Sequence, residues 1–394
     1  MAIEDTNISS ALDIVSFLEQ NNGKLIINVA VDAVGHTLAE FDNYARMRLT
    51  GELDPEGTHL YMGPDEERAK TIASLYGEAL FPLIFLSPLA PEMVRSIALF
   101  RPDLTVDVGI SSSKVAPMAG KTEIVEVSSD GYTSYRTSIQ GLLDDTTAYY
   151  RRKLATQDQN PLHRQLPLIE ELEDFIDAKG KPLALIQIKD EESSASPEAS
   201  NAETYMPALE YLKDQGYHLV QVGREHHPQI FSKFGVVDYA NCPLASFTND
   251  FCLFSNASVC LFGPSGVSYF AEIMEKPFVL TNSWWIPAAP FSAKAVIIPA
   301  LAKSRSDGEL INFRDQLNLQ LNSSVYFPIE EYEIVNPDAD DILAAMKECL
   351  ELDKKTQPLN ESQQDFKKLA ANTPSGLSLS RVSADFLERY KQLL

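Results

Sequence analysis

The sequence predicts an α/β protein built from two Rossmann-like domains, each with a parallel sheet. Unbroken apolar runs favour this fold class, because strands that are buried on both faces of a sheet lack alternation. Such runs lie within residues 24–31, 182–189 and 258–262, and each precedes a turn or loop and then a helical pattern. With 394 residues, of which 44% are hydrophobic, the chain can form two domains with cores of their own.

The first half of the chain alternates strands and helices in the order of a parallel sheet. Helices are predicted at residues 9–22, 37–50, 65–76, 91–100 and 133–156, and strands at residues 24–31, 59–62 and 80–86. A polar stretch at residues 158–166 ends this pattern. We therefore expect an N-terminal domain that covers residues 1–165.

The second half repeats the same alternation. Strands are predicted at residues 182–189, 217–222, 236–239, 258–262, 276–282 and 296–299, and helices at residues 205–216, 248–255, 267–275, 337–352 and 380–393. A Ser-, Ala- and Glu-rich loop at residues 190–203 follows the first of these strands, at the sheet edge where such folds bind ligands. The second domain is expected to cover residues 166–355, and residues 356–394 form a C-terminal helical segment.

The chain is strongly acidic, which argues against nucleic acid and anionic membranes as partners. It has 56 acidic and 33 basic residues, with a formal net charge of −23. Binding to phosphate backbones requires clustered Lys and Arg side chains. A solvated acidic surface explains the charge without any acidic active site.

Cysteine usage and hydropathy favour a cytoplasmic protein without a transmembrane segment. None of the four cysteines forms a CxxC pair, and three have apolar neighbours in sequence, so we expect free thiols in a reduced compartment. The first residues lack the basic and apolar regions of a signal peptide. The longest apolar stretch, residues 79–100, is interrupted by prolines and charged residues and does not fit a membrane span.

The segment at residues 258–275 is typical of a nucleotide site, although an ordinary strand-to-helix turn would show the same pattern. Gly263, Ser265 and Gly266 would let the backbone turn sharply and leave the first amides of a helix uncovered. Those amides and the positive end of the helix dipole attract a diphosphate. Glu272, within the helix, could accept hydrogen bonds from ribose hydroxyl groups.

His36 is the candidate catalytic residue of the first domain. It follows Gly35 at the exit of the first predicted strand, where a histidine could act as a general base or contact a phosphoryl group. Asp32 and Glu40 are close in sequence and could orient it. The alternative is a histidine that caps the helix.

Arg224 is the candidate phosphate ligand of the second domain. It follows a predicted buried strand and Gly223, and its planar guanidinium suits a diphosphate. The alternative is a surface arginine paired with an acidic neighbour. Lys189, at the end of another strand, is a weaker candidate for the same role.

No metal site or bound cofactor is predicted. His226 and His227 are adjacent and point in different directions, with no Cys or carboxylate at ligand spacing. The Asp338-Ala-Asp340 run precedes a helix, where helix capping explains it without a metal. No P-loop, GxSxG elbow, HExxH motif or full GxGxxG fingerprint occurs.

The chain resembles a bacterial family of GT-B glycosyltransferases, most strongly over residues 201–300. The shared features are a Tyr-x-x-Ala-x-x-x-Leu-x-x-x-Gly-Tyr helix at residues 205–217, a valine-containing strand exit that ends in Gly223, an Asp-Tyr segment, a Ser-Gly turn and a Pro-x-x-x-Thr-Asn strand end. The Val34-Gly-His-Thr-Leu-Ala-Glu40 run and the closing residues 380–390 also look like this family.

The resemblance implies a fold of two domains that face each other across a cleft, with a final helix that crosses back to the N-terminal domain. The second domain would bind a nucleotide-sugar, with the diphosphate near Ser265, Gly266 and Arg224 and the ribose near Glu272. Asn282 closes the matched strand end. The first domain would hold the acceptor near His36.

The implied function is metal-independent transfer of a sugar from a nucleotide-sugar to a glycan, a lipid-linked sugar, a small molecule or a protein. Two departures keep other functions open. The family tends to have arginines where this chain has Lys189 and Ser200. A nucleotide-sugar epimerase or hydrolase on the same fold, or an inactive binding or scaffold protein, is the alternative.

Overall fold

The chain divides into two compact units, residues Met1–Arg164 and Gln165–Leu394, which we call unit 1 and unit 2. The computed structural model describes residues 10–30, 34–63, 67–76, 80, 82–111, 113–114, 116, 122–127, 133–162, 166–190, 199–322, 330–355 and 357–394. The predicted α/β class with a parallel sheet in each half of the chain is confirmed. The predicted cleft between the domains stays a prediction.

Unit 1 contains a parallel sheet that begins with a strand of three buried residues. The described strands of unit 1 are β1 (Leu25–Ile27), β2 (Leu60–Gly63), β3 (Leu83–Leu86), β4 (Thr105–Asp107), β5 (Ser113–Lys114), β6 (Thr122–Val127) and β7 (Thr133–Thr137). Its helices are α1 (Ala11–Gln20), α2 (Val34–Leu49), α3 (Glu67–Leu75), α4 (Ala90–Phe100) and α5 (Ile139–Ala155). The described parallel strands lie in the order β3-β2-β1-β4, and β5, β7 and β6 form an antiparallel sheet.

The helices of unit 1 begin where the sequence supplies caps. Ser10 caps α1 in a capping box with Asp13, and a proline lies in the first turn of α4. The apolar face of α4, which includes Val94 and Ile97, packs into a core with β1 and β2. One prediction is wrong: residues 133–137 form a strand, and the helix starts only after Ser138, whose side chain accepts from the Gly141 amide.

Unit 2 contains a larger parallel sheet. The described strands of unit 2 are β8 (Leu183–Gln187), β9 (His218–Gln221), β10 (Val237–Asp238), β11 (Ala257–Phe262), β12 (Phe278–Ser283), β13 (Ala295–Pro299), β14 (Leu301–Ser304), β15 (Tyr332–Val335) and β16 (Arg381–Val382). Its helices are α6 (Glu170–Ile176), α7 (Met206–Asp214), α8 (Gln229–Lys233), α9 (Phe247–Asn256), α10 (Ser268–Ile273), α11 (Phe313–Asn322), α12 (Ala339–Lys354), α13 (Glu361–Leu369), α14 (Pro374–Leu377) and α15 (Ala384–Arg389). The described strands of the parallel sheet lie in the order β10-β9-β8-β11-β12-β13-β16, and β14 pairs with β15.

Apolar layers cover both faces of the unit 2 sheet. Ile186 and Ile188 belong to a buried cluster with residues of α7 and α12, while Phe254, Phe262 and Phe270 pack on the opposite side. The rings of Phe254 and Phe270 are stacked with centroids 4.8 Å apart. Burial on both faces explains the unbroken apolar runs of the sequence.

The Asp338 run caps a helix, as one interpretation of the sequence predicted. The Asp341 amide donates to Asp338 Oδ1 at 2.9 Å, in a capping box at the start of α12. Burial raises the pKa of Asp341 to about 6, with the Asp338 charge adding to this effect. The two carboxyl groups therefore serve the helix start.

The C-terminal segment adds to the sheet and core of unit 2. The predicted helix at residues 380–393 is wrong in its first part, because Arg381 and Val382 form β16 and pair with β13. Phe366 and Phe386 pack against Phe313, with ring centroids 5.4 Å and 6.5 Å away. The predicted crossing of this segment to the N-terminal domain stays a prediction. In the described residues, every helix is too short or too polar to span a membrane.

Candidate functional site

Each parallel sheet has one point where the strand order reverses direction. In unit 1 the chain builds outward from β1 through β2 to β3 and then places β4 on the other side of β1. In unit 2 it builds from β8 through β9 to β10 and then places β11 on the other side of β8. Ligands of open α/β sheets bind outside the carboxyl ends of the strands at this switch point. Both switch points carry buried polar side chains.

The unit 1 site consists of Asn28, His36, Glu40, Asp107 and Lys114. Asn28 follows β1 with a φ of 65° and accepts a hydrogen bond from the Ala116 amide at 2.8 Å through Oδ1. Asp107 is the last residue of β4, and Lys114 ends β5. His36 and Glu40 lie four residues apart in α2, so they share one face of the helix.

His36 is poised as a neutral base. Its Nδ1 atom is buried and has no hydrogen-bond partner within the part of the chain that the structure describes. Burial lowers the pKa of His36, and the positive charge of Lys114 lowers it further. At neutral pH the imidazole is therefore uncharged and able to accept a proton.

Glu40 is fully buried and differs from an ordinary carboxylate. Its Oε2 atom accepts a hydrogen bond from the Ala30 amide at 2.7 Å, while Oε1 has no partner among the described residues. Burial raises the pKa of Glu40 to about 8, although the Ala30 hydrogen bond and the Lys114 charge oppose this shift. Near pH 7 the side chain is mostly protonated, so Glu40 is a poor general base.

Sequence reasoning missed three residues of this site, Asn28, Asp107 and Lys114, and Lys114 carries the positive charge. Its side chain is only 1% exposed, and Nζ lies 3.2 Å from an oxygen of Asp145 and 3.6 Å from an oxygen of Asp107. Nζ also donates to the Gly109 carbonyl oxygen at 2.7 Å. A two-residue strand has no periodicity, so no pattern identifies Lys114. Asp107 could have been found, because it follows the short β-branched pair Thr105-Val106 and precedes Gly109.

The structure brings together two of the three catalytic candidates of the first domain. His36 and Glu40 are neighbours of the same lysine. Asp32 lies outside the described residues, so its predicted role stays a prediction.

The unit 2 site consists of Gln187, Ser200, Tyr205, Thr281 and Asn282. Gln187 ends β8. The backbone amide of Ser200 donates to the carbonyl oxygen of Lys189, two residues beyond this strand, at 2.7 Å. Tyr205 precedes α7, and Thr281 and Asn282 lie near the end of β12. All five side chains belong to buried residues.

Neutral hydrogen bonds hold most of the unit 2 site together. The Tyr205 hydroxyl is hydrogen-bonded to Ser200 Oγ at 3.2 Å and to Thr281 Oγ1. Thr281 Oγ1 donates to the Phe262 carbonyl oxygen at 3.1 Å, and Asn282 Nδ2 donates to Ser200 Oγ. Burial raises the pKa of Tyr205 to about 12, so its phenol stays protonated.

Two of the predicted donor-binding glycines, Gly223 and Gly263, lie at this site together with Asn282. The Gly263 amide donates to the Gln187 carbonyl oxygen at 2.8 Å, and Gly223 has a φ of +94°, which favours glycine. Asn282 has a φ of 51°, in the left-handed region where asparagine is tolerated. Sequence reasoning missed Gln187, because no recognisable binding motif surrounds it in the sequence.

The other predicted donor residues lie in different surroundings. Arg224 is exposed, and Lys189 is half-buried. The turn at Ser265 and Gly266 leads into α10, which has only six residues. The buried Glu272 accepts a hydrogen bond from the Phe291 amide at 3.1 Å. The predicted contacts of these residues with a diphosphate and a ribose stay predictions.

The cysteines match expectation, since all four are free and three of them are buried. A search of the described residues finds no group of three His, Cys, Asp or Glu side chains that could hold a metal ion.

Comparisons with known proteins give matches among solved structures. No protein-family model matches the chain, and no curated protein matches it. The chain is similar to the dodecameric iron-containing glycosyltransferase TibC from enterotoxigenic E. coli, with 14% identity, a TM-score of 0.43, and coverage of 94% of this chain and 75% of that one.

Two further solved structures are enzymes from E. coli. The ADP-heptose LPS heptosyltransferase II shares 13% identity, with a TM-score of 0.44 and coverage of 84% of this chain and 99% of that one. The heptosyltransferase WaaC, solved with ADP, shares 12% identity, with a TM-score of 0.38 and coverage of 71% and 91%.

Proposed function

We propose that this protein is a glycosyltransferase that moves a sugar from a nucleotide-sugar to an acceptor hydroxyl group. One observation carries the proposal: at both switch points, buried polar atoms lack partners among the described residues. Switch points are where such sheets bind their ligands. Two sites of this kind in one chain suit a reaction with two substrates.

Unit 2 is the donor-binding unit in this proposal. Its site offers amide and hydroxyl groups and no ionisable group that titrates near neutral pH, which suits recognition rather than proton transfer. Gly223, Gly263 and Asn282 lie at the site, as a donor-binding role requires. Arg224, exposed at the exit of β9, is proposed to meet the diphosphate.

Unit 1 supplies the proton acceptor. His36 Nδ1 would take the proton of the acceptor hydroxyl while its oxygen forms a bond to the anomeric carbon. The bond between the anomeric carbon and the diphosphate oxygen breaks in the same displacement, and the nucleoside diphosphate leaves. Burial and, to a lesser extent, the charge of Lys114 keep His36 neutral, and the mostly protonated Glu40 can donate a hydrogen bond but does not compete for the proton.

Release of nucleoside diphosphate from a panel of nucleotide-sugars tests this proposal. A first screen measures the melting temperature with each compound, since a ligand at 100 times its dissociation constant stabilises the fold by about 2.7 kcal/mol. Compounds that shift the melting temperature are then assayed for turnover with candidate acceptors. Turnover that requires His36 supports a transferase, and binding without turnover in any mixture would point to a binding protein.

Two further arms separate the alternatives. Release of nucleotide that needs no added acceptor would indicate a hydrolase, and a changed sugar on an intact nucleotide would indicate an epimerase. We also propose that the reaction needs no metal ion and takes place in the cytoplasm. Because no metal ion is needed, EDTA should leave the rate unchanged. A loss of rate in EDTA that a divalent ion restores would contradict the first of these points.

A further inference from the structure

The carboxamide of Gln187 lacks a partner at the place where the unit 2 sheet is expected to bind its ligand. Gln187 is 0% exposed, and neither Oε1 nor Nε2 has a hydrogen-bond partner in the described ranges of the chain. A buried amide without partners is destabilising, so native proteins rarely keep one without a reason. A ligand that completes its hydrogen bonds is such a reason.

The position of Gln187 supports this explanation. Its strand β8 borders the switch point, and the β8–β11 register places Gln187 beside Phe262. A Cβ atom at Gly223 would lie 3.1 Å from Gln187 Cγ, so the chain at the end of β9 passes close to this side chain. The amide therefore lies between the exits of β9 and β11, and glycines follow both of these strands.

A second acceptor atom lies at the same edge of the sheet. Asn282 is 2% exposed, and its Nδ2 atom donates to Ser200 Oγ. Its Oδ1 atom is buried and accepts no hydrogen bond from any described residue. Gly263 lies close to both residues, since its amide donates to the main-chain carbonyl oxygen of Gln187 and a Cβ at its position would lie 3.5 Å from Ser200 Oγ, the atom to which Asn282 donates.

The hydrogen-bond donors and acceptors of these groups indicate which class of ligand they can bind. Gln187 offers one acceptor oxygen and an NH₂ donor, and Asn282 offers a second acceptor oxygen. A phosphate only accepts hydrogen bonds, so it would leave both amide oxygens without a donor. A hydroxyl group donates and accepts, so neighbouring hydroxyl groups can satisfy all of these atoms.

We infer that Gln187 and Asn282 bind a neutral, hydroxyl-bearing group of the ligand rather than its phosphates. This inference rests on the proposed function, in which that group is the ribose of the nucleotide or the transferred sugar. It assigns the diphosphate to another part of unit 2. It also names two specificity-determining residues that the sequence motifs do not single out.

The chain provides a matched control for Gln187. Gln221 ends the neighbouring strand and is also 0% exposed, but its amide is paired. Gln221 Oε1 is hydrogen-bonded to His227, and Nε2 donates to the His226 carbonyl oxygen at 3.1 Å. Methionine replaces either glutamine with a similar volume and no amide.

The experiment compares the wild type, Gln187→Met and Gln221→Met of the full chain. Without ligand, Gln187→Met should melt at the wild-type temperature or higher, because no hydrogen bond is lost, whereas Gln221→Met should melt lower. Dissociation constants are then measured for nucleotide-sugars, nucleoside diphosphates, inorganic diphosphate, nucleosides and methyl glycosides. Gln187→Met should weaken hydroxyl-bearing ligands at least tenfold, an effect of about 1.4 kcal/mol, and leave inorganic diphosphate unchanged.

Comparison of these ligands shows whether the hydroxyl groups belong to the ribose or to the transferred sugar. Equal weakening of nucleoside diphosphates and nucleotide-sugars identifies the ribose, and weakening of nucleotide-sugars alone identifies the transferred sugar. Binding of a nucleoside or methyl glycoside that Gln187→Met abolishes supports the inference even if no sugar transfer is found.

Three results would overturn the inference. One is a Gln187→Met protein that binds every ligand like the wild type. Another is a selective loss of inorganic diphosphate. The third is a fall in melting temperature as large as that of Gln221→Met, which would show that the Gln187 amide is already paired in the free protein. Failure of every probe to bind the wild type would overturn the inference and the proposed function together.

Discussion

The two switch-point sites occupy equivalent places in their sheets and differ in the kind of polar group that they hold. The unit 1 site combines His36, Glu40 and Lys114, all of them ionisable and close enough to shift pKa values. The unit 2 site holds amides and hydroxyl groups that are linked by neutral hydrogen bonds. The same backbone position can therefore serve proton transfer in one unit and recognition in the other, because the fold does not fix the function.

This difference predicts which of the two sites changes its protonation with pH. In unit 1, burial raises the pKa of Glu40 to about 8, close to the physiological range, and lowers the pKa of His36. In the unit 2 site, burial raises the pKa of Tyr205 to about 12. Between pH 5 and 9 the unit 1 site should therefore change its protonation, whereas the hydrogen-bonded groups of the unit 2 site should not.

The largest expected effect is on turnover in His36→Gln. Loss of the general base should lower the rate at least a hundredfold, or about 10² to 10⁴ in the usual range, while ligand binding persists. The wild-type rate should fall with decreasing pH at a midpoint below 6.5, because protonation disables the base and the pKa of His36 is lowered from that value.

His59→Gln is the control for this variant. His59 is buried, with Nδ1 accepting from the Lys24 amide and Nε2 hydrogen-bonded to the Asp54 carbonyl oxygen, both at 3.1 Å. Its loss should lower the melting temperature without changing the rate per folded molecule. If His36→Gln keeps the wild-type rate, unit 1 is not the proton-transfer site and the comparison fails.

The next effect is on stability in Lys114→Met. Removing the buried ammonium takes away its ion pairs with the partly exposed carboxylates of Asp107 and Asp145, which should cost about 3 kcal/mol in unfolding free energy. The pKa of His36 should rise, because the positive charge of Lys114 lowers it in the wild type. Urea unfolding and the pH profile of the rate measure the two effects.

Lys179→Met tests whether burial causes the loss in Lys114→Met. Lys179 pairs with Asp177 at 3.0 Å, but its side chain is 76% exposed. Exposed pairs contribute about 0 to 1 kcal/mol, so this variant should stay close to the wild type. An equal loss in both variants would contradict a special role for the buried lysine.

A smaller effect concerns the pH dependence of stability. Between pH 4.5 and about 8, folded Glu40 keeps a proton that the unfolded chain has released, so stability should fall as pH rises. The slope is at most about 1.4 kcal/mol per pH unit. Glu40→Gln has no such proton and should flatten the dependence of the unfolding free energy on pH. An unchanged slope would show that Glu40 ionises normally.

The smallest effect is expected in the unit 2 site. Tyr205→Phe removes a hydroxyl that is hydrogen-bonded to Ser200 and Thr281, but both keep another partner in Asn282 and the Phe262 carbonyl. The unfolding free energy should fall by about 1 kcal/mol. The loss should be the same at pH 5 and pH 9, because no group of this network titrates in that interval. A loss that varies with pH would show coupling to an ionisable group.

Local patterns predicted most elements of the fold. Apolar runs identified β1, β8 and β11, since strands buried on both faces need apolar residues throughout. The Asp338 cap was predicted because an N-cap depends on residues that are adjacent in sequence. The predictions failed at residues 133–137 and 381–382, where polar or short segments became strands by pairing with other strands.

The sites show the same limit. His36 and Glu40 could be predicted because both lie just after a recognisable strand, in one helix. Lys114 and Gln187 could not, because nothing in their local sequence indicates a buried ammonium or an unpaired amide.

The sequence by itself determined the α/β class, the two parallel sheets, the free cysteines and the position of His36 after the first strand. These features depend on hydrophobicity, capping and spacing, which act over a few residues. The tertiary structure alone decided which side chains meet at each switch point and in what protonation state. Those properties depend on burial and on contacts between residues such as His36 and Lys114, which are far apart in the chain and close only when it is folded.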